Sequence, residues 1–211
     1  MIAGIVLAAG TASRMGPQKL LLPVGGQSLI RLSLERLLAS SLDDVVVVLG
    51  REAEAVGAAL AGLRVRTVVN PAFAEGLSTS LRAGLDALDP AVEAAVVALG
   101  DQPLHDPAVV ERLVAAYRGS GRPIVVPTYR GARGHPVLFA AEVFAELRAV
   151  RGDQGAREVI ARDPDRVAVV PLDLPAPRDV DTWEDYRELL TEAARAQERS
   201  GAGGRPRPGV Q

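Results

Sequence analysis

The chain has 211 residues, enough for one large α/β domain or two small ones, and its 48% hydrophobic content supports a globular core. Aromatic residues make up only 3% and the net charge is -2, which argues against a stacking platform or a basic footprint for nucleic acid. There is no cysteine, so disulfides, thiolate zinc sites and thiol nucleophiles are excluded; no apolar run approaches the ~18 residues of a membrane span and no charged signal-peptide start is visible, so the expected compartment is the cytoplasm.

The run Ile2 to Leu7 is apolar and rich in β-branched residues, and it reads as a buried strand. Pro23 to Gln27 is a turn, and Ser28 to Ser40 spaces its apolar residues as a helix does. Strands follow at Val45 to Leu49, Arg64 to Val69 and Ala94 to Leu99, with helices at Arg51 to Ala61, Leu77 to Leu88 and Asp106 to Tyr117. Asp106 is suited to cap the last of these, with Pro107 at its first position. Alternation at this pace implies βαβ units, a mostly parallel sheet, and ligand binding beyond the carboxyl ends of the strands. That rule gathers Ala8 to Lys19, Asn70 to Ser80 and Gly100 to Pro103 on one rim. The second half is less regular. It has a strand at Pro123 to Pro127, a loop at Gly131 to Gly134, a short extended piece at Pro136 to Phe139 and a strand at Arg166 to Val170. Helices are expected at Glu142 to Ala149, Gln154 to Ala161 and Thr182 to Gln197. Residues 199–211, with glycines, prolines and no core-forming pattern, read as a disordered tail.

The loop after the first strand carries the sharpest signal. Ala8, Ala9 and Gly10 are small enough for backbone N–H groups to approach a ligand, and no acidic residue occurs before Glu35, whereas Arg14 and Lys19 do. Oriented amides and cations without anions suit a polyphosphate. Gly10 and Gly16 are spaced too widely for a Walker A loop, and the dinucleotide fingerprint is absent.

Further stretches carry candidate chemistry. Asp101, in Leu99-Gly100-Asp101-Gln102-Pro103, is a lone carboxylate just past a buried strand, a good place for Mg²⁺ held by one or two carboxylates and substrate phosphates. Asp181 is the candidate second ligand, with Asp179 the other option; Asp181 followed by Glu184 also fits a helix-capping arrangement. Asn70, Ser78 and Ser80 lie where a base or ribose can be contacted, although Ser78 equally suits a helix cap. Arg133 and His135 lie in a second basic loop, which fits either a second phosphate-bearing substrate or a solvated hairpin tip. Asp153 has no assigned role beyond beginning a helix.

Taken together, the stretches LAAGTASRMGPQK from Leu7, EGLSTSLRAGL from Glu75, LGDQP from Leu99, GHPVLF from Gly134, GDQGAR from Gly152 and DVDTWEDY from Asp179 resemble the molybdenum cofactor cytidylyltransferase branch of the MobA-like NTP transferase family. The likeness spans Ile2 to about Leu190. It implies a three-layer Rossmann-like α/β fold in one nucleotidyltransferase domain over 1–198, with Mg²⁺ as cofactor and molybdopterin as the phosphate acceptor. It implies that Leu7 to Gly10, Arg14, Lys19 and Gly100 hold the nucleotide. It further implies that Asp101 binds the metal with Asp181 as its partner, and that a client molybdoenzyme receives the product. Leu7-Ala8-Ala9-Gly10, in place of the L-A-G-G start of the GTP-using branch, favours CTP. The implied reaction is attack of an acceptor phosphate on the α-phosphorus of the NTP, with loss of pyrophosphate and no general base. The alternatives are GTP with molybdopterin, a sugar phosphate acceptor, or a non-catalytic nucleotide-binding partner of a molybdoenzyme.

Overall fold

A computed structural model describes residues 1–10, 15–16, 18–103 and 106–202. Strand β1 (Ile2–Ala8) is buried along its whole length because it lies between two parallel neighbours, β4 (Asp44–Leu49) and β6 (Ala94–Leu99). Before β4 come a two-residue-per-strand hairpin, β2 (Pro23–Val24) and β3 (Gln27–Ser28), and helix α1 (Leu29–Leu38). Helix α2 (Ala53–Ala59) leads to the edge strand β5 (Arg66–Val69), and α3 (Leu77–Asp86) leads back across β1 to β6. Helix α4 (Pro107–Ser120) begins at Asp106, whose carboxylate accepts from Ala108 N, as its sequence position implies.

The remaining elements are β7 (Ile124–Tyr129), β8 (Ala132–Arg133), β9 (Val137–Ala140), α5 (Phe144–Ala149), α6 (Arg157–Arg162), β10 (Val167–Leu172) and α7 (Trp183–Ala202). The main sheet runs β10-β7-β9-β6-β1-β4-β5, with β8 added to β7. Only the ladders of β9 with β6 and β7, and of β8 with β7, are antiparallel. The short extended piece expected at Pro136 to Phe139 is thus a strand inside the sheet, its side chains buried. Strand β7 continues past Pro127, where sequence ended it, because β9 pairs only with Ile124 and Val125 and needs no amide at Pro127.

Alternation along β1 sends its side chains to two cores. Ile2, Val6 and Ala8 meet Leu34, Leu37, Val110 and Leu113 of α1 and α4; Ala3, Ile5 and Leu7 meet Leu81, Leu85 and Leu147 of α3 and α5. Helices therefore cover both faces, the three-layer α/β fold expected. Helix α3 lies very close to the sheet: a Cβ on Gly84 would stand 2.5 Å from Ile5 Cγ2, so only glycine allows this approach. The neighbours β4 and β5 follow β1 to one side while β6 lies on the other, and this reversal of strand order opens a crevice at the carboxyl end of β1.

Expected boundaries shift by a few residues at several elements. The helix expected from Gln154 starts at Arg157, because Gly152 (φ 68) and Gly155 (φ 54) hold the intervening turn in the left-handed half of backbone space. The last helix runs to Ala202, so residues 199–202 are helical; residues 203–211 of the expected tail lie outside the described residues. Among the described residues no helix is long and apolar enough to cross a membrane.

Candidate active site: two clefts with a common wall

Lys19 occupies a single 3₁₀ turn, Lys19–Leu21, anchored by the buried Leu20. Its Nζ donates to Asp101 Oδ2 at 2.7 Å and to Asp181 Oδ1 at 2.6 Å, joining segments 82 and 162 residues away in sequence. The acidic turn is held rigidly. Gly100 N donates to Leu7 O at 3.0 Å, the buried Ser33 Oγ donates to Gly100 O at 2.8 Å, and Val180 N donates to Asp101 O at 3.2 Å. Gln102 Nε2 donates to Asp179 Oδ1 at 2.7 Å, so the Asp179 to Asp181 stretch is tied to the turn twice.

The charges here do not balance. Burial works against the Lys19 ammonium, but the pull of Asp101, and then of Asp181, outweighs it and holds its pKa above the ordinary value. Burial pushes the Asp101 carboxyl above the usual carboxylate range; Lys19 draws it down, while Asp179 and Asp181 add to the rise. Asp101 and Asp181 thus share one ammonium while Asp179 adds its negative charge beside Asp101, a surplus that suits added positive charge. Among the described residues no three His, Asp or Glu side chains gather into a set that would hold a metal ion alone.

Above this cluster lies a cleft of about 360 Å³. Of the expected nucleotide-binding residues, Leu7, Ala8, Ala9, Gly10, Lys19 and Ser80 line it, together with Asp101. Gly100 does not line it; its N–H holds the carbonyl of the lining residue Leu7. Arg14 lies outside the described residues. Ser78 is 1% exposed and does not line the cleft, and the N-cap of α3 is Gly76, so Ser78 neither caps the helix nor faces the cavity. Asn70 is likewise 3% exposed and does not line it. Its Nδ2 donates to Thr79 Oγ1 at 2.8 Å and Ser80 Oγ at 3.0 Å, and its Oδ1 accepts from Ala72 N at 3.0 Å. Asn70 therefore sets the first turn of α3 and, through it, the hydroxyl of Ser80.

A second cleft of about 490 Å³ adjoins the first. Its floor comes from β1, β6, β7 and β9, with Val97, Val126 and Phe139 among the apolar side chains, and Arg133, His135 and Arg157 also line it. Burial pushes the His135 pKa down, against a backbone hydrogen bond at Val97, so the imidazole favours its neutral form. Tyr129 Oη donates to His135 O at 2.6 Å and fixes that loop. Leu7, Leu77, Leu99 and Asp153 belong to both clefts. Asp153 Oδ1 accepts from Leu77 N at 3.2 Å, so the turn before α6 is fastened to the start of α3. Gly76 (φ 117) is the other fastening: a Cβ there would meet Gly152 C at 2.7 Å.

Phe73 and Gly76 line the polar cleft, Arg157 the apolar one and Asp153 both, and none of the four has a site role in the sequence reading. The GDQGAR stretch was visible, yet its partner at Leu77 lies 76 residues upstream, and only the folded chain reveals that contact.

The family model described as the MobA-like NTP transferase domain matches residues 4–167. The chain belongs to this family. It is 35% identical over 199 residues to the nicotine blue oxidoreductase of Paenarthrobacter nicotinovorans, covering 90% of this chain and 96% of the relative. It is 32% identical to the purine catabolism protein PucB of Bacillus subtilis, over 74% of this chain and 79% of that one. Among solved structures, Rv0371c of Mycobacterium tuberculosis superposes with a TM-score of 0.81 at 37% identity, covering 90% of this chain and 97% of that one. A second structure of Rv0371c is described as a complex with manganese and matches at a TM-score of 0.77 and 36% identity, over 90% and 98% of the two chains. A nucleotidyl transferase from Methanothermobacter matches at 0.80 with 25% identity, over 93% and 99%. This MobA-like chain is therefore a nucleotidyltransferase by family and carries the Rossmann-like fold of that class.

Proposed function

We propose that the protein transfers CMP from CTP to the phosphate of molybdopterin, releasing pyrophosphate, with Mg²⁺ held by Asp101 and Asp181. The observation that carries this reading is the pairing of clefts. The polar one is lined by Lys19 and Asp101, and the Lys19 ammonium also pairs with Asp181; the apolar one, bordered by Arg133 and Arg157, opens beside it across Leu7 and Asp153. An apolar floor with arginines suits a fused ring that carries a phosphate.

The donor set fits the metal. Asp101 and Asp181 bring one oxygen each to a single point, and Mg²⁺ takes one or two carboxylates plus substrate phosphates. Mn²⁺ takes the same oxygen ligands, and the manganese complex of the relative Rv0371c supports a divalent cation here. When bound, the metal neutralises charge on the triphosphate and on the departing pyrophosphate.

The remaining work falls to the chain. The backbone at Ala8 to Gly10 and the Lys19 ammonium hold the phosphates, a task the family resemblance also assigns to Arg14. Ser80, oriented through Asn70, contacts the nucleoside. Arg133 and Arg157 bring the acceptor's phosphate to the α-phosphorus. That phosphate is already ionised at neutral pH, so no side chain need take a proton, and rate comes from placement and charge neutralisation. Ala9 in the LAAG start supports CTP over GTP. The expected setting is the cytoplasm, with the product passed to a molybdoenzyme, and residues 1–198 acting as one nucleotidyltransferase domain.

The test is pyrophosphate release across CTP, GTP, ATP and UTP, with molybdopterin and then with sugar phosphates as acceptor. Release that requires both CTP and molybdopterin supports the reading; release with another pair replaces it by that pair.

A further inference from the structure

Two carboxylates from separate loops direct oxygens at one ammonium. Lys19 Nζ stands 2.7 Å from Asp101 Oδ2 and 2.6 Å from Asp181 Oδ1. A divalent cation bound by the same two oxygens takes the place that this nitrogen holds, and two positive charges cannot share it. The turn carrying Lys19 has little freedom: Leu20 is 3% exposed, and Gln18 on its other side is 5% exposed and donates to Arg51 O. The side chain, not the backbone, must therefore give way. The cleft it borders also contains Ala8 to Gly10, the backbone proposed to hold the phosphates.

We propose that Lys19 is the internal counter-cation of the metal site. In the free protein it draws Asp101 and Asp181 together and keeps divalent metal out. When nucleotide enters, its phosphates take over the ammonium, and the vacated carboxylates accept the ion. Metal and nucleotide then enter as one unit, and each strengthens binding of the other by the same factor. The gain for the protein is an acidic cluster that stays compensated while idle. This rests on the reading of Asp101 and Asp181 as metal ligands.

The test uses the full chain with Mn²⁺ alone, counted from the electron paramagnetic resonance signal of the free ion, with no acceptor and no turnover. The wild type is expected to bind Mn²⁺ weakly alone and ~5–150-fold more tightly with α,β-methylene CTP, the usual span of such couplings. Lys19→Met is expected to bind Mn²⁺ alone at least ~tenfold more tightly than the wild type and to gain far less from the analogue. Lys19→Arg, which keeps the charge, is expected to stay as weak as the wild type. Circular dichroism checks folding, and Lys19→Gln repeats the comparison if Lys19→Met does not fold. A neutral variant that folds and binds Mn²⁺ no more tightly than the wild type overturns the proposal, as does a wild type whose Mn²⁺ affinity ignores the analogue. The two claims separate cleanly. If the affinity gained by Lys19→Met survives both Asp101→Asn and Asp181→Asn, the ligand assignment fails. If Lys19→Met gains nothing while Asp101→Asn abolishes analogue-dependent Mn²⁺ binding, only the counter-cation role fails.

Discussion

The two clefts share a wall but are made of opposite materials. One concentrates charge: Lys19, Asp101, Asp179 and Asp153 line it, and its floor is the small-residue run Ala8 to Gly10. The other is a gap over the sheet, floored by valines and Phe139, with charge from Arg133 and Arg157. The difference teaches a division of labour. A charged cleft lowers a barrier by meeting charge that moves during reaction, whereas an apolar cleft with a few cations selects and orients a partner. Substitutions in the first should therefore act on turnover, and substitutions in the second on acceptor binding.

The strongest way to break that contrast is Asp101→Asn. It keeps the side chain's shape but removes the charge the metal needs, and kcat is expected to fall on the order of 10²–10³-fold while the circular dichroism spectrum is unchanged. Activity near that of the wild type would remove Asp101 from the metal site. Next come Arg133→Gln and Arg157→Gln. Each is expected to raise the acceptor KM about tenfold, roughly one charge-assisted contact, and to leave the CTP KM nearly untouched. A rise in the CTP KM instead would mean that the second cleft takes the nucleotide.

A smaller effect is expected at Asn70, which touches neither cavity. Asn70→Ala leaves Thr79 and Ser80 without their buried donor, and unfolding by urea should show a loss of about 1–3 kcal/mol. The CTP KM should rise modestly through Ser80, with the acceptor KM unmoved. The smallest is the pH dependence from His135. Burial lowers its folded-state pKa below the ordinary 6.5, so the unfolded chain binds the proton more readily. Its contribution to stability is complete above about pH 6.5 and is lost as pH falls toward the folded-state value. Urea midpoints should drop between about pH 7 and about pH 5.5, and less so in His135→Asn, where no proton is taken up.

The contrast between the clefts also marks how far the sequence could be read. The polar cleft comes from loops that directly follow strands β1 and β6, so a strand pattern and the rule for parallel sheets place Ala8 to Lys19 beside Asp101 without coordinates. Asp181 needs more. It lies after β10, at the far edge of the sheet, and reaches the site because Val180 N bonds Asp101 O and Gln102 holds Asp179. The apolar cleft was legible only at its basic loop, Arg133 and His135. Its floor depends on β9 running antiparallel between β6 and β7, a placement that a four-residue strand after a proline does not announce. The same holds for Asn70 and Ser78. Asn70 just past β5 and Ser78 at the start of α3 are polar residues that from sequence suit a ligand contact, yet the fold buries both and gives Asn70 to the first turn of the helix.

The measurement that bears most directly on the account is a crystal structure of the protein with CTP and Mg²⁺. The account predicts the triphosphate against Ala8 to Gly10 and Lys19, one ion between Asp101 and Asp181, and the apolar cleft beside Phe139 left for the acceptor. A triphosphate lying over Val97 and Phe139, with Lys19 still bridging the two carboxylates, would contradict it.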